Sequence, residues 1–207
     1  MIMLRLISAF LFSSVLSLTS VFSAELAERE KLHDTINAVL DVLYSDCCSD
    51  LSLEEKQAKV REAIEVKYDL SVIIRRAIGR NWRIMSESEQ EQVLDLVKQL
   101  VVKAYVNGLD GKARPVIELG KVISITDKRI EIESTVKLDE KTYYVTYRLG
   151  RMSSGWQIYD IVAENISVVS NYRQQIDDHF RKGDGAGLVA RLEELLKHDE
   201  INEDTKI

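Results

Sequence analysis

Apolar and polar positions along this chain change period near residue 115, and the change separates a helical half from a half that bears strands. Between Leu26 and Tyr44, Leu32, Ile36, Val39, Leu40 and Leu43 recur at three- and four-residue spacing, one stripe of a helix. Ser52-Leu53-Glu54-Glu55 has the spacing of a capping box, in which a serine hydroxyl and a carboxylate three residues on satisfy each other's backbone N–H groups. It predicts a helix running toward Val66. Asp69 predicts the cap of a shorter helix, Leu70 to Ile78, which Gly79 ends. A second box, Ser86 with Glu89, opens the longest stripe: Val93, Leu96, Val97, Leu100, Val101, Ala104 and Tyr105, stopped at Asn107-Gly108.

Beyond Pro115 the pattern alternates, as a pleated strand requires. Four runs, Val116–Ile125, Arg129–Leu138, Thr142–Leu149 and Trp156–Val162, are joined by short polar links, which predicts an antiparallel meander. Gly120 marks a candidate bulge. Ile130, Ile132, Val136 and Leu138 share a face, as do Tyr143, Val145, Tyr147 and Leu149. In the fourth run Trp156, Ile158 and Asp160 fall on one side, and Gln157, Tyr159 and Ile161 on the other. Past Ala163 the helical period returns through Ile166, Val169, Arg173, Ile176 and Phe180, with Asn165 as the expected N-cap. Gly183–Gly187 predicts a break, and Leu188–Leu196 a last helix. The fold class is therefore α+β: a four-stranded antiparallel meander covered by several amphipathic helices, in one domain over residues 25–200, with a polar tail at 201–207.

Residues Met1 to Ala24 stand apart. One basic residue, Arg5, precedes an apolar run that ends Val21-Phe22-Ser23-Ala24, the layout of a secretory signal peptide cleaved after Ser23 or Ala24. No cysteine lies at that junction to carry a lipid anchor. The net charge of −6 argues against nucleic acid and against standing adsorption to an anionic bilayer. Cys47 and Cys48 are adjacent, where a disulfide is geometrically awkward and closes no loop, and His33, His179 and His198 are scattered. No metal site is expected. Arg151–Gly155 lacks the first glycine of a nucleophile elbow, and neither a phosphate-cradling loop nor a zinc-binding helix motif occurs. The one candidate for catalysis is Asp160, whose carboxylate is a base if buried beside Trp156 and Ile158, as in a cone-shaped enzyme of the nuclear-transport-factor-like type. The better-supported reading gives it backbone or Arg148 partners, and no catalytic residue is expected.

Two ordered motifs carry a resemblance. Tyr147-Arg148-Leu149, followed by Gly155-Trp156-Gln157-Ile158-Tyr159-Asp160-Ile161 and Glu164-Asn165-Ile166-Ser167-Val168-Val169-Ser170-Asn171-Tyr172-Arg173, resembles the C-terminal signature of the MlaC family of periplasmic phospholipid-binding proteins, auxiliary to ABC transport and tied to toluene tolerance. Asn165 stands where that signature has glycine. Tyr68-Asp69-Leu70, Gly79-Arg80-Asn81-Trp82-Arg83 and Ser86–Gln90 are similar to the family's F-D-F, L-G-x-x-W-R and S-x-x-E-Q blocks. The resemblance runs from about Glu25 to Leu196. It implies an apolar cavity between sheet and helices that holds the acyl chains of a diacyl phospholipid as cargo, with no cofactor. The residues expected to line it are Val97, Val101, Ile130, Ile132, Tyr143, Val145, Tyr147, Ile166 and Val169. It further implies a periplasmic monomer that passes lipid between an outer-membrane lipoprotein complex and an inner-membrane ABC transporter bearing an MCE protein, and so maintains outer-membrane lipid asymmetry. A hopanoid-associated relative and a lipid-free adaptor domain docking on an ABC transporter are the alternatives.

Overall fold

The computed structural model describes residues 7–198, with side chains from Glu25 onward. Of the expected leader, residues 1–6 are not described, and residues 7–24 only as backbone. The tail at 201–207 lies outside the described residues as well. The elements run α1 (Ile7–Tyr44), α2 (Leu53–Glu65), α3 (Leu70–Ile78), α4 (Glu87–Leu109), β1 (Val116–Thr126), β2 (Arg129–Leu138), β3 (Lys141–Met152), β4 (Gly155–Ala163), β5 (Ile166–Ser167), α5 (Val168–Phe180) and α6 (Gly185–Lys197). No helix among the described residues is long and apolar enough to cross a membrane. Helix α1 starts well before Leu26, because no proline or glycine between the leader and Tyr44 interrupts it.

Both predicted capping boxes form. Ser52 and Glu55 open α2, and Ser86 and Glu89 open α4, each with the two reciprocal side-chain-to-backbone bonds in place. Asp69 caps α3 by accepting from the Ser71 N–H, and Gly79 follows α3 at φ 62°, a conformation that favours glycine. Two expectations near the C-terminus are corrected. The Gly183–Gly187 stretch is not all linker, since Asp184 accepts from the Gly187 N–H at 2.9 Å and α6 begins at Gly185. A Cβ at Gly185 would meet the Glu89 carboxylate at 2.6 Å, so a larger residue there would displace that side chain.

The sheet is antiparallel in the order β1-β2-β3-β4-β5, so it has five strands rather than the four expected. The fifth is the two-residue strand Ile166–Ser167, which pairs with Ala163 and Val162. Glu164 and Asn165 both have positive φ, 48° and 65°, and form a tight hairpin turn of the type that suits the sheet's twist. Asn165 is therefore a turn residue. The cap of α5 is Ser167, whose hydroxyl accepts from the Ser170 N–H. Asparagine and glycine are the two residues that enter this left-handed conformation most readily, which explains their exchange at this position.

Besides a slip between Ser124 and Thr126 next to the β1–β2 turn, two bulges shape the sheet. The register of β1 on β2 slips between Leu119 and Val122, at the expected Gly120. Arg29 of α1 donates to the carbonyls of Leu119 (2.6 Å) and Gly120 (3.1 Å), fastening the helix to the bulge. The second bulge was not anticipated: Leu149 pairs with Ile158 but Arg148 with Asp160, which inserts Tyr159 as an extra residue in β4. Asp160 is thereby turned away from the face of Trp156 and Ile158, contrary to strict alternation.

Apolar burial falls into three clusters. The largest joins Ile74, Ile78, Met85, Val93, Leu100, Ile176, Leu188, Val189, Leu192 and Leu195 from α3 through α6. A second lays Leu32 of α1 and Tyr68 on Leu119, Ile130, Ile132 and Leu149 of the sheet. A third, Val39, Val60, Val102 and Val106, ties α1, α2 and α4 together.

Candidate apolar site between sheet and helices

The inner sheet face follows from register. Ile130 lies opposite Leu149, Ile132 opposite Tyr147, Ser134 opposite Val145 and Val136 opposite Tyr143. At the Leu149 end this face is sealed: Ile130, Ile132 and Leu149 are each at most 1% exposed beneath Leu32 and Tyr68. Toward Tyr143 it opens, with Val145 and Tyr147 half-buried and Tyr143 exposed.

Across from it stands α4. Its 3.6-residue period sends Val93 and Leu100 into the α6 interface and Val102 and Val106 toward α1 and α2. The sector between those two faces carries Val97, Val101 and Tyr105. The helix packs principally on α6, α2 and α3, and no strand is among its main partners. Val101 and Tyr105 consequently remain 40% and 41% exposed. Burial nevertheless raises the Tyr105 phenol well above its ordinary range, helped by Tyr147 and Tyr44 nearby. Burial likewise pushes Tyr147 up to about 12. The candidate recess is therefore defined by the apolar side chains left uncovered here, Val101 and Tyr105 on α4 and Tyr143, Val145 and Tyr147 on β3, exposed at Tyr143 and covered toward Tyr68.

Of the nine predicted lining residues, Val101 is exposed on α4, Tyr143 is exposed on β3, and Val145 and Tyr147 are half-buried on β3. Val97 is partly buried against the helical cluster. Ile130 and Ile132 form the sealed floor. Val169 is buried at the start of α5, 3% exposed. Ile166 is not on a helix: it lies in β5, 62% exposed, on the row that runs Val145, Ala163, Ile166 across the inner face. Two tyrosines outside the nine, Tyr105 and Tyr68, lie near Tyr147. Tyr105 was legible as the residue one turn beyond Val101. Tyr68 had no periodic signal, since it precedes a helix cap. Two hollows elsewhere, about 390 Å³ beside Arg61, Glu62 and Glu65 and about 180 Å³ among Tyr44, Val106 and Leu109, hold none of the nine.

The polar residues of the C-terminal motif fasten the wall of this site. Glu131, Arg148 and Asp160 occupy one cross-strand row of the outer face, with Arg148 donating to Glu131 at 2.8 Å and to Asp160 at 3.2 Å. Asp160 also accepts from the Ser167 hydroxyl at 2.8 Å and from the Val169 N–H at 3.2 Å. A carboxylate at the N-terminus of α5 opposes the positive end of the helix dipole and fixes the helix to β4. These are the partners expected of a structural carboxylate. Arg173 donates to the Arg76 carbonyl, and its guanidinium lies where a Cβ on Gly79 would reach Nε at 3.2 Å. The two sequence motifs therefore meet in space at Gly79 and Arg173. Exposed Glu30, His33 and Asp34 lie close enough to share an ion, and exposed acidic groups so placed are common without one.

The fold is that of a small α+β protein, one antiparallel sheet with helices packed against it. The chain belongs to the MlaC family: the family profile, described as MlaC protein, matches residues 33–194. Among solved structures, the fold is similar to that of a phospholipid-binding protein from Ralstonia solanacearum, determined in complex with a phospholipid, with a TM-score of 0.69 at 23% identity over 81% of this chain and 96% of that one. No curated protein sequence matches the chain.

Proposed function

We propose that this protein is a phospholipid carrier that encloses the acyl chains of one diacyl lipid in the recess between α4 and β3. The observation that carries this reading is the unclosed apolar wall formed by Val101, Tyr105, Tyr143, Val145 and Tyr147. Family membership supports it, as does a structural relative known with phospholipid bound. The physical need is clear. Burying a methylene is worth ~0.8 kcal/mol, so bringing a two-chain lipid into water costs on the order of 20 kcal/mol. An aliphatic and aromatic lining removes most of that barrier without covalent chemistry, so the protein acts as a carrier and not as a catalyst. The proposed setting is the periplasm, reached through a cleaved leader at residues 1–24. There the protein exchanges lipid between an outer-membrane lipoprotein complex and an inner-membrane MCE-bearing ABC transporter, in support of outer-membrane lipid asymmetry.

Solvent extraction of natively purified protein, followed by mass spectrometry, tests this. We expect roughly one diacyl phospholipid per chain. A polycyclic lipid in its place would replace the cargo class, and extracts no richer in lipid than those of an unrelated exported protein would leave only an adaptor role.

A further inference from the structure

Between α1 and α2 the chain makes a short 3-10 turn, Asp46–Cys48, that carries Cys47 exposed and Cys48 half-buried. Their Sγ atoms lie 3.2 Å apart, and the Ser45 Oγ is 3.1 Å from the Cys47 sulfur. The turn is held by the Cys48 N–H on the Ser45 carbonyl and the Ser49 N–H on the Asp46 carbonyl, which keeps the two sulfurs side by side with Cys47 the more open. The two are not equivalent. Hydrogen bonds from Ser45 and then Cys48 lower the Cys47 thiol, while the same contact, seen from Cys48, raises that one. Nothing in the recess or the sheet makes use of this pair.

We propose that Cys47 and Cys48 form a thiol–disulfide exchange site, with Cys47 as the attacking thiolate and Cys48 as the resolving thiol. The partner is a disulfide, R–S–S–R, of a small thiol or of another protein. The Cys47 thiolate attacks one sulfur, the S–S bond breaks, and one RS⁻ leaves, giving a Cys47–S–S–R mixed disulfide. Cys48 then gives its proton to solvent, attacks the Cys47 sulfur and expels the second RS⁻. The pair is oxidised by two electrons and the partner reduced to two thiols. Adjacent residues have Cα atoms only about 3.8 Å apart, below the roughly 4.4–6.8 Å usual for a disulfide. The closed ring is therefore strained and readily reopened by a thiol, which suits reversible exchange rather than a permanent cross-link.

The test uses the reduced full-chain protein, oxidised glutathione as the probe, and intact-mass analysis with peptide mapping. The wild type is expected to lose two hydrogens and release two glutathiones, with the mixed disulfide only transient. Cys48→Ser is expected to accumulate the adduct at residue 47, and Cys47→Ser to react about tenfold more slowly than Cys48→Ser. Equal rates in the two single variants, or a wild type that holds the mixed disulfide as firmly as Cys48→Ser does, would overturn the assignment. The turn is exposed, so both variants retain the fold, and the wild-type product alone already separates the outcomes.

Discussion

Single side chains at the recess carry an electrostatic mark that is open to measurement. Tyr147 is desolvated by burial, and its phenol is pushed up from 10 to about 12. Below pH 10 that phenol is neutral in folded and unfolded chains alike. Between pH 10 and about 12 only the unfolded chain gives up the proton, so the unfolded state gains and stability falls as pH rises. The loss attributable to Tyr147 is about 2 kcal/mol across that window. Denaturant midpoints taken along an alkaline series should decline there, and Tyr147→Phe should flatten the decline. An unchanged slope in the variant would mean that the ring faces solvent. Burial also raises Tyr68, whose hydroxyl is buried without a hydrogen-bond partner among the described residues, with Glu28 and Tyr147 adding to the effect. The ammonium of Lys31 sits 4.3 Å from the centre of the Tyr68 ring and also donates to the Trp156 carbonyl, so that ring is pinned at the closed end of the recess.

Elements were the scale at which the sequence was most readable, and the misreadings are specific. Reciprocal capping boxes, the Gly79 stop and the meander all follow from spacing, because each rests on chemistry between residues close in sequence. The Tyr159 bulge does not. Alternation assumes one residue per pleat, and nothing local in Ile158-Tyr159-Asp160 announces that β3 will pair two-against-one with it. The α5 cap was misread for a related reason: asparagine suits both an N-cap and a left-handed turn, and only the pairing of Ile166 with Ala163 decides between them. The recess itself was legible only as a face, since periodicity reports which way Val101 points and not whether anything meets it. From the corrected place of Ile166 a prediction follows. On a two-residue edge strand, 62% exposed, an arginine can bury its stem and turn its head to water. We expect Ile166→Arg to be soluble, with a near-native circular dichroism spectrum and markedly less co-purifying lipid. Wild-type lipid content in a folded variant would remove Ile166 from the mouth.

At the scale of the whole molecule, apolar burial is divided among three clusters, two of which share Ile64 as a neighbour. The charge of −6 is spread over a surface laced with ion pairs such as Arg61 to Glu65 and Asp95, and Lys98 to Glu65. Chain order adds something that packing alone does not reveal. The helical cluster is assembled from α3 and α4, which precede the sheet, and from α5 and α6, which follow it, so the meander is an excursion inside that cluster. While the chain is being made, Val93 and Leu100 are finished long before Leu188, Leu192 and Leu195 exist to cover them. The N-terminal helices must therefore wait, with an apolar flank uncovered, until almost the last residue has emerged. A chain ended at Lys182 should then aggregate instead of yielding a smaller folded protein, as sedimentation after expression would show; a soluble, folded product would mean that the helices close without their final partner.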